Sequence, residues 1–291
     1  MPTDRTSTHW QPRFARKPAS NARWGGCLFA AALALSTPLA GAVSFSYSDF
    51  SSTAGLTLNG DAAQAGAALR LVPSAGSQAG TAYRTAAVPL TAGTEFSTAF
   101  KFLVKTDANS AFGVTDGFTF LLQNDGAGVN ALGGAGDGLG YTGLSPSVAV
   151  VFRGRGPSFI GVVTGGTNPA DLASPFNPPG ATSFTEGAFY EQDEFAWIDY
   201  SAGTLKVFLG TTAVKPGSPV MTAPVDVFGT LGSEAYVGFS AGNGGAFGSQ
   251  DILTWSFTTA AVPEPESWGL MLSGLLVMGW SLRRRMTDER V

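Results

Sequence analysis

Residues 95–105 read EFSTAFKFLVK. Phe96, Thr98, Phe100, Phe102 and Val104 share one parity, while Ser97, Ala99, Lys101 and Lys105 take the other. A strand points alternate side chains to opposite faces, so this stretch is a strand with one buried and one solvated face. Shorter runs of the same kind follow or precede it: ALRLV, GFTFLLQ, SVAVVF, FAWIDY, TLKVFLG, AYVGFSA and DILTWSFTT. Clusters of Gly, Pro, Asn and Asp separate them, as turns between strands require. No amphipathic helix is legible between Val43 and Val262. The expected fold is all-β, two antiparallel sheets packed as a jelly-roll sandwich.

The two ends of the chain do not belong to that sandwich. Residues 1–24 carry Arg5, Arg13, Arg16, Lys17 and Arg23 against Asp4 alone, and an apolar run then leads to Ala40-Gly41-Ala42. A basic start, an apolar core and a small-residue site describe a cleaved signal peptide, residues 1–42. Cys27 and His9, the only cysteine and histidine, leave with it. A mature chain without either has no thiol nucleophile, no Ser-His pair, no zinc site of the usual ligands and no disulfide.

At the other end, residues 267–282 are free of charge, about 24 Å as a helix and slightly short of the roughly 20 residues a span needs. Arg283, Arg284 and Arg285 follow and would hold this end on the cytoplasmic side, leaving the domain outside. Residues 261–291 are therefore expected to form a tail with one C-terminal apolar, membrane-crossing helix. Between the ends, residues 43–262 hold 8 basic against 16 acidic side chains. A surface that acidic argues against nucleic acid and anionic lipid as partners.

Pro263-Glu264-Pro265, an apolar helix and an arginine cluster, in that order at the chain end, resemble the PEP-CTERM sorting signal of Gram-negative bacteria. That resemblance implies processing by an exosortase after transient residence in the inner membrane, and delivery to the cell surface or extracellular matrix. The middle, residues 43–260, is similar to the L-type (legume-type) lectin domain. FSYSDF, LTLNGDA, ALRLVPS, GTAYRTAAVPL and FSTAFKFLV resemble its opening half, and TDGFTFLLQNDGAGVNALGGAGDGLGY its sugar-binding segment. FAWIDYSAGTLKVFL and the closing strands YVGFSAGNGG and QDILTWSFT complete the series. The implied fold is the concanavalin A-like sandwich, and the implied ligand a polysaccharide or glycan. A homodimer through the flat sheets is a further implication.

In that family an aspartate before a glycine accepts sugar hydroxyls, and a glycine-rich loop lets the ring approach and offers N–H donors. The matching residues here are Asp116 with Gly117, then Gly133 and Gly134; Tyr141, with Tyr190, is the aromatic candidate for stacking. Asp116-Gly117 could equally be only a turn, and the glycines only a connection. The family's metal strand runs valine, alanine, valine, glutamate, phenylalanine, aspartate, with a histidine before an isoleucine-glycine pair. Here the acidic positions are Val151 and Arg153, and Phe159 stands before Ile160-Gly161. Hard cations need several oxygen ligands, so the calcium site is expected to be lost and no cofactor is carried over.

Two readings of Arg153 and Arg155 remain open. One is a solvated RGRG hairpin turn. The other is a fixed guanidinium, Arg153 in the first place, that replaces the lost cation and pairs bidentately with Asp116 or Asp137 to organise the loop. At the level of the whole protein, the leading expectation is an exported carbohydrate-binding protein, and the alternative a matrix protein on a lectin scaffold with no sugar site. Catalysis is not expected: the nearest glucanase-like pattern, Glu191, Asp193 and then Ala196, lacks its second glutamate and reads as an acidic turn.

Overall fold

The computed structural model describes residues 42–156, 158–168, 181–185, 187–260 and 272–278. Two eight-stranded sheets face each other. The first orders β14 (Met221–Pro224), β13 (Thr204–Gly210), β12 (Asp193–Ser201), β7 (Phe96–Thr106), β16 (Gly248–Thr259), β4 (Ala68–Val72) and β3 (Ala63–Ala65), with β1 (Ser44–Tyr47) also on β16. The second orders β11 (Thr182–Phe184), β10 (Ser158–Thr164), β9 (Ser147–Arg153), β8 (Gly117–Gln123), β15 (Glu234–Asn243), β5 (Gln78–Arg84) and β2 (Leu56–Gly60), with β6 (Val88–Pro89) on β15. Every ladder is antiparallel.

The alternation in residues 95–105 is realised as expected. Phe96, Thr98, Phe100, Phe102 and Val104 are buried between the sheets, and the intervening residues face outward. Phe100 and Phe102 meet Phe118, Phe152 and Phe239, and the Phe118 and Phe152 rings lie parallel with centroids 4.7 Å apart. Stacked phenylalanines across β8 and β9 hold those two strands in the register on which the loops depend.

Strands β8 and β9 are buried along their whole length. Their inner face belongs to the main core, while Leu121, Ala149 and Val151 turn to a second apolar cluster with Tyr83, Leu139, Tyr141 and Phe159. The glycine-rich segment after β8 thus packs down on the outer face of the second sheet. It is a covering layer, with Leu139 in a left-handed conformation at φ 53°.

One short helix, α1 (Val227–Leu231), interrupts the all-β reading. Asp226 caps it by accepting the Gly229 N–H at 2.7 Å. The acidic turn expected at Glu191, Asp193 and Glu194 needs correcting at Glu194, the second residue of β12, which lies on the inward face and is buried. In the tail, the described helix covers only 272–278, and no helix among the described residues is long and apolar enough to cross a membrane. The expected membrane-crossing helix over 267–282 is therefore not supported. Its remaining residues lie outside the described ones, as do residues 1–41, Pro263, Glu264, Pro265 and Arg283 to Arg285.

Candidate functional site

The loops at one end of the sandwich converge on Asp116, which immediately precedes β8 and is wholly buried. Its backbone is bracketed from three sides. The Asp116 carbonyl accepts the Gly154 N–H at 3.0 Å, and the preceding Thr115 carbonyl accepts the Tyr190 hydroxyl at 2.8 Å. Behind them, Thr115 Oγ1 donates to Asn243 Oδ1 at 3.0 Å, and the Asn243 amide donates to the carbonyls of Pro73 and Gly248. A buried amide with all its directions used is a rigid support.

The carboxylate itself is only half engaged. Oδ2 accepts the Gly244 N–H at 2.6 Å, whereas Oδ1 accepts no hydrogen bond among the described residues. Arg155 Nη1 lies 3.7 Å from Oδ1 and 3.6 Å from Asp137 Oδ2. Burial, and after it the neighbouring Asp137, raise the Asp116 pKa to about 6, against the opposing Gly244 amide, Arg155 and Arg153.

Arg153 ends β9 on the same face as Val151, only 5% exposed, and its Nη2 donates to Asp137 Oδ1 at 2.9 Å. The solvated-turn reading fails for this residue. The pairing with Asp137 is present through one nitrogen only, so it is not bidentate; Nε and Nη1 are buried without a hydrogen-bond partner among the described residues. Asp137 sits in the 3₁₀ turn Gly136–Gly138, so the contact ties the glycine-rich segment to the end of β9. Replacing Arg153 by alanine is expected to lower stability by about 3 kcal/mol, the lower end for breaking a buried pair, because Asp137 can rehydrate. Urea denaturation checks this; an unchanged midpoint would mean the tether carries nothing.

The positions at which the family holds its metal do not fit a hard cation here. Val151 and Phe159 are buried in the second apolar cluster and Arg153 brings a positive charge. Among the described residues no three of His, Cys, Asp and Glu converge.

Five of the expected contacts take other roles. Tyr141 has no exposed surface; its hydroxyl accepts from Ser147 Oγ at 2.9 Å and from the Gly166 N–H at 3.1 Å, so its ring belongs to the covering layer and offers no stacking face. Tyr190 is likewise buried beneath Thr115. The Gly133 and Gly134 N–H groups bond the Gly140 and Thr142 carbonyls and are not free donors. Gly117 is buried inside the β8 ladder and presents nothing to a ligand. Asp116, Arg153 and Asp137 are brought together as expected.

Sequence reading missed the glycines that do border Asp116 and the aromatic that lies under Arg155. A Cβ on Gly136 would lie 3.9 Å from Asp116 Oδ2, and one on Gly244 3.1 Å from the same atom. Phe112 is 54% exposed, and the Arg155 guanidinium lies 3.9 Å over its ring. The signal was available: Phe112 stands in a polar loop outside any alternating run, four residues before Asp116.

A profile of the legume lectin domain matches residues 42–149 and 181–269. The chain belongs to the legume lectin family. The match leaves out residues 150–180, which hold Arg153, Arg155 and Phe159. A second profile, the PEP-CTERM protein-sorting motif, matches residues 261–285. The L-type lectin-domain containing receptor kinase S.6 of Arabidopsis thaliana is 29% identical over 170 residues, 56% of this chain and 24% of its own. The probable receptor kinase S.7 of the same plant is 30% identical over 190 residues, 57% of this chain and 26% of its own. The chain thus spans about a quarter of the length of these curated relatives.

Among solved structures, the lectin from Bauhinia forficata in complex with GalNAc superposes with a TM-score of 0.61 at 20% identity, covering 77% of this chain and all of that one. The metal-free form of lectin I-B4 from Griffonia simplicifolia gives 0.60 at 24% identity, covering 75% and 99%. These likenesses carry the legume lectin fold. The legume lectin family is one of non-enzymatic carbohydrate-binding proteins.

Proposed function

We propose that this is an exported, surface- or matrix-associated carbohydrate-binding protein, sorted by an exosortase, that holds exopolysaccharide or a cell-surface glycan around Asp116 without a metal ion. The observation that carries the reading is the half-engaged Asp116 carboxylate beside Gly136 and Gly244, with the exposed Phe112 ring on the far side of Arg155. A buried carboxylate with a spare oxygen accepts hydroxyls strongly, glycines give a ring room to approach, and an exposed aromatic face takes the apolar side of a pyranose. Arg155 covers Asp116 at ion-pair rather than hydrogen-bond distance, so a sugar hydroxyl can displace it. The Arg153–Asp137 contact takes over the anchoring of the loop that a cation would otherwise supply.

Retention on the producing cells' own exopolysaccharide tests this. It is expected to be equal in calcium and in chelator; loss in chelator would restore a metal site and sink the metal-free reading. The pH dependence has a definite sign. Asp116 must be ionised to accept two hydroxyls, so retention is expected to be full above about pH 7 and to fall as the pH drops through about 6. Stability runs the other way for this residue, because the folded state holds the Asp116 proton more tightly than the unfolded chain does. Its contribution favours the fold below the ordinary carboxylate range and is lost as the pH rises through about 6. Asp116→Asn should remove both trends.

A structural matrix protein without a sugar site is the second reading. It is favoured by the complete burial of Asp116 beneath Arg155 and by the engaged Gly133 and Gly134 amides. Failure of the wild-type chain to bind any polysaccharide would decide for it.

A further inference from the structure

The outer face of the first sheet carries a trough unconnected with Asp116. Across four strands the register aligns Trp197 of β12 with Ala99 of β7, Ser256 of β16 and Ser46 of β1. All four belong to the outward parity, and Trp197 is partly exposed. Ala99 is the cause of the trough, because its methyl group leaves a gap between the indole on one side and two serine hydroxyls on the other. Phe195, two residues before Trp197, extends the aromatic floor, its ring inclined 17° to the indole at 6.1 Å. The resulting hollow has a volume of about 230 Å³.

Two residues further along the same strands, roughly 7 Å away, a second row runs Asp199, Ser97, Thr258 and Ser44. It borders an adjoining hollow of about 370 Å³. Ser97 Oγ donates to Asp199 Oδ1 at 2.9 Å, and Ser44 and Thr258 share a hydroxyl contact at 3.2 Å. The face therefore pairs an aromatic floor with a row of hydroxyls and two carboxylates, Glu95 and the Asp199 that Ser97 and Lys215 already hold, in two hollows side by side. An indole takes the C–H face of a pyranose, hydroxyls and carboxylates exchange hydrogen bonds with its rim, and consecutive hollows suit consecutive rings.

We propose that this trough is a second saccharide-binding site, which takes neighbouring residues of a linear polysaccharide on the sheet opposite to the one that bears Asp116. A second copy of the chain fits the face less well. Lys101–Asp193 and Arg70–Asp251 lie on this sheet, Lys215 reaches Asp199 from the loop before β14, and self-pairing would strip water from the three ion pairs of each copy. Two sites on opposite faces let one molecule grip two strands of polymer, or one strand twice, and so raise avidity without a new contact at Asp116.

The test is quantitative retention of the full-length protein on exopolysaccharide purified from the producing cells, with Trp197→Ala, Trp197→Phe and Ala99→Leu compared at matched thermal melting. Ala99→Leu fills the trough on the solvated side and leaves the core and Trp197 in place. Trp197→Ala and Ala99→Leu are each expected to weaken retention about tenfold, with Trp197→Phe recovering most of it, in both the wild-type and the Asp116→Ala background. Unchanged retention in both Trp197→Ala and Ala99→Leu overturns the proposal, as does a wild-type chain that does not bind the polymer. A concentration-dependent dimer lost in Ala99→Leu while retention is unchanged overturns it too, and assigns the face to a second copy.

Discussion

Asp116→Ala is expected to reduce retention on exopolysaccharide at the loop site by roughly a hundredfold or more. Each hydrogen bond to a charged group contributes about 1.5–3 kcal/mol, and a pyranose held by two hydroxyls loses both at once. The truncation also releases Gly244, whose N–H bonds Oδ2, and frees Arg155 from one of its two carboxylates. The fold should survive, since the Thr115 and Asp116 backbone is held by Tyr190, Gly154 and Asn243 without help from the carboxylate. Above about pH 6 the variant should melt no lower than the wild type, because a buried charge has been removed. Wild-type retention in Asp116→Ala would show that the loops hold no sugar.

Gly117→Ala is expected to be the most damaging single change near the site, costing about 3 kcal/mol or more. Gly117 has φ +127°, which L side chains rarely adopt, and a Cβ there would lie 2.2 Å from the Phe152 carbonyl oxygen and 3.1 Å from the Arg153 Cα. Both obstacles are backbone of the neighbouring strand β9, so relief requires opening the β8–β9 ladder at the pair Gly117 and Arg153. Loss of cooperative unfolding and of retention together is the expected result. A variant that melts like the wild type would mean that the turn before β8 can adopt another path.

How much of this was legible in the sequence depended on what each residue answers to. The strand in residues 95–105 obeys a local rule, period-two burial, and its five inward side chains are buried as read. Asp116 could be matched by order along the chain, and Asp137 could be named as a loop carboxylate within reach of Arg153 by charge alone. Tyr141, Gly133 and Gly134 were misread because their roles are set by the segment folding back on itself over the second sheet. Their partners, Ser147, Gly166, Gly140 and Thr142, are fixed by that packing and not by any spacing. Gly244 borders Asp116 and Phe112 borders the Arg155 that pairs with it, from loops more than a hundred residues apart, a relation that only the closed sandwich creates.

Strand β16 begins at Gly248, beside the loops that gather around Asp116, and runs to Thr259 at the far end of the sandwich, roughly 36 Å away at 3.3 Å per residue. Val43 is there as well, exchanging hydrogen bonds with Thr259. Under the proposed function, a polymer pulling on the loops while the chain is held through residues beyond Ala260 would load the molecule along β16. Its bonds to β7 run across the strand, from Gly248 opposite Thr106 to Thr259 opposite Phe96, and tension along the strand shares itself among them all at once. The sandwich is strung so that traction shears a full-length ladder and does not peel it one bond at a time.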